Sequence, residues 1–338
     1  MEKILKYKNK IIIFSIILIG FFTVFILYRL FSGSVTKEAL FDFSKNYSSI
    51  EFINDEMYIF EKDKFYRYDK NGKVKKEKTI QNTGKVKVSN NVIYSLNSNT
   101  LTMYSTNFDE VKKINLSGES TDFFIESNKL VLLNNATFKI FDETLNEIYS
   151  NTEAKNPIYL KFSKSEKKFV YTDYVKKDNQ FKSRFHIVDL KEKKSVWDFS
   201  FYNEFIIDVG FVNDSNDNIY VVTNEKLYLF EGSTIKNQYF LTNLKDIYYD
   251  NGKIYLLSDN LQIFDSKELK LEKEIKLNEE YKNMFVLDKN ILLTKKVGYS
   301  LLSKSKFEFS EFSADIVDII RNQKNIYLIL TDRYKKLK

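Results

Sequence analysis

The sequence predicts an all-β fold: a β-propeller of eight, alternatively seven, four-stranded blades, preceded by one amino-terminal transmembrane helix. Three observations predict it. A pair of short apolar strands returns at steps of 35 to 39 residues, with a single step of 50. Another short strand precedes each pair, and a more polar one follows it. Near the amino terminus an 18-residue run, Ile11 to Tyr28, carries no charged side chain.

That run, "IIIFSIILIGFFTVFILY", reaches ~27 Å as a helix, close to the thickness of a bilayer core. Lys3, Lys6, Lys8 and Lys10 precede it and Arg29 follows, an excess that keeps the amino terminus in the cytoplasm. Residues 1–10 then form a cytoplasmic tail, 11–31 the transmembrane helix, 32–37 a linker and 38–338 a propeller on the extracytoplasmic side of the cell membrane. A cleaved signal peptide is the rival reading. Its apolar core is usually ~7 to 15 residues and ends at small residues, whereas only Ser32-Gly33-Ser34 is available here. An uncleaved anchor fits better.

In the repeat, the first strand of each pair centres on Tyr58, Tyr94, Val131, Val170, Tyr220, Tyr255, Leu292 and Tyr327. The second strand ends at Asp69, Ser105, Asp142, Asp189, Glu231, Asp265 and Ser303, which lie 10 or 11 residues on, except for 19 at Asp189. A period of this length with four strands per unit selects a propeller among repeat architectures. The order of polarity agrees. Inner and middle strands are packed between blades and should be apolar, while the outermost is an edge and should carry Lys and Glu, as in "VKKINL" and "EKEIKL". With nine glycines and one proline, the turns fall to Asn, Asp and Ser, which bond their own backbone.

Eight centres imply eight blades, yet the last unit has room for only three strands before Lys338. "EALFDFS", Glu38 to Ser44, alternates suitably and is expected to close that last blade.

A strand such as "IYLLS" followed by one such as "LQIFD" resembles the non-enzymatic branch of WD-repeat-like and PQQ-like propellers. The Trp-Asp and Gly-His signatures and the Thr-Gly-x-x-x-Trp turns are absent. As a tethered propeller the chain is similar to uncharacterised envelope propellers of Gram-positive bacteria, a resemblance that implies location and adds no chemistry.

Chemistry is sparse. There are no cysteines and one histidine, His186, read as a structural residue in a strand, so thiolate, poly-histidine and cysteine-nucleophile sites are excluded. "NDSNDN", 213–218, lacks the glycine and distal glutamate of a calcium loop and reads as a turn. The recurring acids Asp69, Asp142, Asp189, Glu231 and Asp265 lie in separate blades, too far apart for paired-carboxylate catalysis, and are read as turn closers. No phosphate-binding or nucleophile-elbow motif can be written. Of the net charge of +7, +3 belongs to residues 1–10, and the remainder is interleaved with acids, which argues against nucleic acid as a partner. No cofactor and no metal are expected, nor an enzyme.

One insertion interrupts the array. "YVKKDNQFKSR" lengthens the fourth unit and offers Tyr174, Lys176, Lys177, Asp178, Asn179, Gln180, Lys182 and Arg184 as a partner-binding loop. The carboxy-terminal Lys335, Lys336 and Lys338 are candidates for contact with anionic lipid or wall polymer. The expectation is a protein-interaction scaffold in the bacterial cell envelope, serving assembly, division or a surface machine. The alternatives are a receptor for a glycan or cell-wall polymer and a carbohydrate-active enzyme using only Asp and Glu.

Overall fold

Short apolar runs bounded by Asn, Asp and Gly fold here into strands, and no helix occurs among the described residues. The computed structural model describes residues 47, 49–80, 84–118, 120, 122–134, 137–177, 180–212, 218–287, 290–303, 306–312, 314–322 and 325–337. The chain divides into two compact units, 1–40 and 41–338, and every described residue belongs to the second. The apolar run Ile11–Tyr28 and the expected closing strand 38–44 lie outside the described residues.

Eight antiparallel sheets follow one another, each with strands in sequence order from the axis outward. Blade 1 comprises Ser49–Ile53, Glu56–Phe60, Lys64–Tyr68 and Val74–Thr79; blade 2, Lys85–Ser89, Val92–Asn97, Thr100–Ser105 and Glu110–Asn115. Blade 3 comprises Asp122–Glu126, Lys129–Leu133, Phe138–Phe141 and Glu147–Asn151; blade 4, Leu160–Phe162, Lys168–Lys177, Gln180–Asp189 and Lys194–Tyr202. Blade 5 comprises Ile206–Phe211, Ile219–Thr223, Lys226–Glu231 and Thr234–Phe240; blade 6, Asp246–Asp250, Lys253–Leu257, Asn260–Asp265 and Leu271–Lys276. Blade 7 comprises Asn283–Leu287, Asn290–Lys295, Gly298–Ser303 and Lys306–Glu311. Blade 8 has three described strands, Ile316–Asn322, Asn325–Leu330 and Tyr334–Leu337. The eight expected centres all fall on second strands, so the eight-blade reading holds and the seven-blade alternative does not.

Burial follows the expected gradient. The second strand of blade 5, Ile219–Thr223, is buried at every position, whereas its outer strand is almost wholly exposed. Each interface between consecutive blades is one apolar cluster. Tyr58, Phe60 and Phe65 of blade 1 pack on Ile93, Tyr104 and Phe108 of blade 2, for example. The series ends where Ile320, Tyr327 and Ile329 of blade 8 pack on Ile50, Phe52 and Met57 of blade 1. The inner strands of those two blades lie side by side, which closes the ring.

The turns are made as the composition requires. Asn54-Asp55, Asn90-Asn91 and Ser127-Asn128 join first to second strands with both residues at positive φ, the twist that suits two-residue hairpins. After the third strand, the Asp69 carboxylate accepts from the amides of Asn71 and Lys73, and Asp142 and Ser105 do the same in their blades. In blades 1 to 6 the pairing of third and fourth strands shifts by a β-bulge just before this turn, at Arg67/Tyr68 and its equivalents. The bulge twists the outer strand away from a flat edge.

Candidate docking surface on the upper face

Second-to-third hairpins and the links between blades share one side of the ring, here the upper face. On it blade 4 stands taller than its neighbours. The insertion does not form a loop: it continues the ladder, with ten consecutive pairs from Lys168↔Asp189 to Lys177↔Gln180. The outer strand follows it to Tyr202, opposite Lys182. Alternation in "FVYTDYVKK" and "FKSRFHIVD" was the available signal, obscured by the charged residues at the tip.

This geometry divides the eight candidate residues. Tyr174 is buried, and its hydroxyl donates to the carbonyl of Ile206 in blade 5. Arg184 lies directly across from the fully buried Asp173 and grips it in two-pronged fashion, with Nε 2.7 Å from Oδ1. His186 Nε2 approaches the same carboxylate at 3.3 Å while its ring stacks on Tyr171 at 4.6 Å. Burial pushes the Asp173 carboxyl up, but the contacts with His186 and Arg184 outweigh it and hold it below its ordinary value. Tyr174 and Arg184 thus brace the hairpin, and His186, in the strand of Arg184, packs beside them. Lys176 and Gln180 are exposed, and Lys182 lies over the Tyr202 ring at 5.4 Å. Asp178, Asn179 and the Lys177 side chain lie outside what is described.

The tall hairpin does not stand alone. Phe181, at its tip, stacks on Phe205 of the blade 4 to blade 5 link with centroids 3.7 Å apart, and Tyr174 adds a third ring 5.4 Å from Phe181. The link is fixed by hydrogen bonds: Ser183 Oγ donates to the Glu204 carbonyl, Asn203 N to the Phe181 carbonyl, and Phe205 N to Asn224 Oδ1. Phe205 is nevertheless 50% exposed, with Tyr202 at 62% and Phe240, at the upper end of the blade 5 outer strand, at 68%. Ile158, Tyr159 and Ile207 extend the apolar surface toward the axis. The hairpin is legible in the sequence and these partners are not, because they are scattered singly or in pairs over links and strand ends of blades 3 to 5.

The axial channel carries the other cluster of polar groups. Lys161 Nζ in blade 4 lies 2.5 Å from Asp208 Oδ1 in blade 5, and the buried Tyr220 hydroxyl donates to Asp208 Oδ2 at 3.0 Å. Gly210 leaves room for that ring: a Cβ there would stand 2.8 Å from it. These groups, with Glu126, Tyr248 and Tyr249, line a cavity of about 930 Å³ that opens on the lower face. Across the channel, burial lifts the Glu51 carboxyl to about 7, offset in part by Lys87 and Ser49 and aided by Asp318.

At the carboxy terminus, Lys336 donates to Asp55 Oδ1 at 2.6 Å, and Lys335 lies over the rings of Tyr299 and Phe312. Both are engaged within the ring, and Lys338 lies outside the described residues. Of 213–218, only Asn218 is described, and it is buried.

No protein-family model and no curated protein sequence matches the chain. Solved structures do. BamB from Moraxella catarrhalis matches with a TM-score of 0.56 at 12% identity, over 85% of this chain and 95% of that one. Sqt1 of Saccharomyces cerevisiae matches with 0.64 at 7%, over 88% and 98%. The WD40 domain of Neurospora crassa Pan2 matches with 0.51 at 10%, over 74% and 86%. At these identities the likeness shows the fold alone, an eight-bladed β-propeller, in agreement with the eight sheets above.

Proposed function

We propose that this chain is a non-enzymatic, membrane-tethered extracytoplasmic propeller that serves as a protein-interaction scaffold in a bacterial cell envelope, in assembly, division or a surface machine. The observation that carries the reading is the rigid apolar surface around Phe181 and Phe205, exposed beside a hairpin that rises above the array. Stacked rings held by a hydrogen-bonded link are preorganised, so a partner that covers them loses little chain entropy in doing so. The uncharged run Ile11–Tyr28 supports the tether, with residues 1–10 in the cytoplasm. Likeness to BamB and to WD40 propellers supports a role in contact rather than catalysis.

Two measurements test this. Protease added outside wall-stripped cells should degrade the propeller and spare a tag at residue 1; protection of both ends would refute the topology. Detergent-extracted membranes run on a native gel should show the chain in an assembly larger than itself. A chain that migrates alone under mild extraction would refute the scaffold.

The channel cavity favours a second reading, a receptor for a glycan or wall polymer, since aromatic walls and fixed polar groups suit a sugar ring. Binding of purified wall fragments, lost on changing Tyr248 to Ala, would support it.

A further inference from the structure

The step between blades 4 and 5 has a charge character of its own. Lys176 and Lys182 stand on the tall hairpin of blade 4, Lys226 opens the third strand of blade 5, and Lys155, in the link from blade 3, lies beside the hairpin, where its carbonyl accepts from Tyr174 N. Among the described residues none of the four has a carboxylate within ion-pair distance, whereas Lys64, Lys139, Lys253 and Lys295 on other blades do. Two of these four lie over exposed rings instead: Lys182 over Tyr202, and Lys226 over Phe240 at 4.8 Å. The nearby carboxylate of Glu204 is turned inward, held by the hydroxyls of Tyr228 and Thr223 at 2.9 and 2.7 Å. Among the described residues of the links on this face, Glu153 and Glu225 are exposed acids.

Shape narrows the occupant. The second, third and outer strands of blade 4 run to ten, ten and nine residues, against five, six and seven in blade 5. Blade 4 is therefore a wall and the blade 5 links a floor. A polypeptide can lie along such a step with alternate side chains on the rings, whereas a flat bilayer would meet the wall alone.

Resting on the scaffold reading, we infer that the step holds a segment of a partner protein that is acidic and carries aromatic or aliphatic side chains, its carboxylates meeting Lys155, Lys176, Lys182 and Lys226 and its apolar groups covering Phe181, Phe205, Tyr202 and Phe240. Unpaired lysines beside exposed rings leave both kinds of contact to be supplied from outside.

The test uses the full chain in detergent micelles and labelled peptides of about 12 residues. One peptide combines Glu and Asp with two Phe; a second replaces Phe by Ser; a third replaces the acids by Lys. Vesicles of phosphatidylglycerol are the fourth probe. The first peptide should bind at least about tenfold more tightly than either control, and K182E and F205S should each remove about that factor. Both side chains are at the surface, and an unchanged melting temperature shows that the loss is local. Equal binding of all three peptides, no binding of the first, or vesicles bound in its place would overturn the inference. A native assembly that survives while the first peptide fails to bind would leave the scaffold standing and sink only the partner's chemistry.

Discussion

The Tyr327 hydroxyl donates a hydrogen bond of 2.6 Å to Asp55 Oδ1, joining residues 272 positions apart in the first and last blades. Beneath it, the Tyr327 ring stacks on Phe52 with centroids 3.7 Å apart and planes 2° from parallel. Lys336 reaches the same oxygen. The seam that closes the ring is thus a polar clasp over an aromatic pair. Asp55 sits at positive φ in its hairpin, a conformation Asn also tolerates. Tyr327→Phe keeps the stack and loses the clasp, and Asp55→Asn keeps the turn and loses the charge. Each should cost about 1 kcal/mol in urea unfolding, since the carboxylate is partly solvated.

The same seam bears on residues 38–44. Blade 8 has three described strands, and Tyr47, just upstream of blade 1, packs against the cluster shared by blades 1 and 8. The expectation from the sequence that residues 38–44 close this blade concerns residues outside those described, and a deletion tests it. Deleting 36–45 should then lower the melting temperature by about 5 °C or more. An unchanged value would refute this closure.

Asp173 is the buried charge on which blade 4 depends. Asp173→Ala leaves Arg184 and His186 without their carboxylate and should cost about 3 kcal/mol. Its depressed pKa gives the linkage a sign: the stabilisation is present above the ordinary carboxylate value and is lost as pH falls below it. Unfolding curves between neutral and strongly acidic pH should show a smaller loss in Asp173→Ala than in the native chain, the remainder coming from other depressed carboxylates such as Asp55 and Asp142.

Glu51 gives the opposite slope. Its pKa, raised from 4.5 to about 7 chiefly by burial, means that the folded chain holds a proton which the unfolded chain has released between those values. Stability should therefore fall as pH rises from 4.5 to about 7. Glu51→Gln should flatten that part of the profile. A native profile with no such decline would contradict the channel electrostatics.

The architecture was legible because a propeller writes its period, its polarity gradient and its turn residues into every unit. Tyr58, Tyr94 and Tyr220 mark second strands whatever their neighbours do, and Asp69 and Asp142 close their turns through local contacts alone. The surface was legible only in part. Lys176 and Gln180 stood out within one inserted segment, but Ile158, Phe205 and Phe240 are exposed at the ends of successive blades, and their exposure depends on how those blades pack. The packing of Tyr174 and Arg184 was hidden for a related reason. Whether a residue at a hairpin faces solvent depends on Ile206 and Asp173, its partners across the interface and the ladder.

In the proposed scaffold, the step on blades 4 and 5 is the face that meets a protein partner. Site-specific photocrosslinking in living cells reads that contact. A photoreactive residue is placed in turn at Tyr202, Phe205 and Phe240, and for comparison at the exposed outer-strand positions Val74 and Val111. The first three should crosslink to one and the same protein, and the last two should not. Crosslinks from Val74 and Val111 alone, or none from the step, would contradict it.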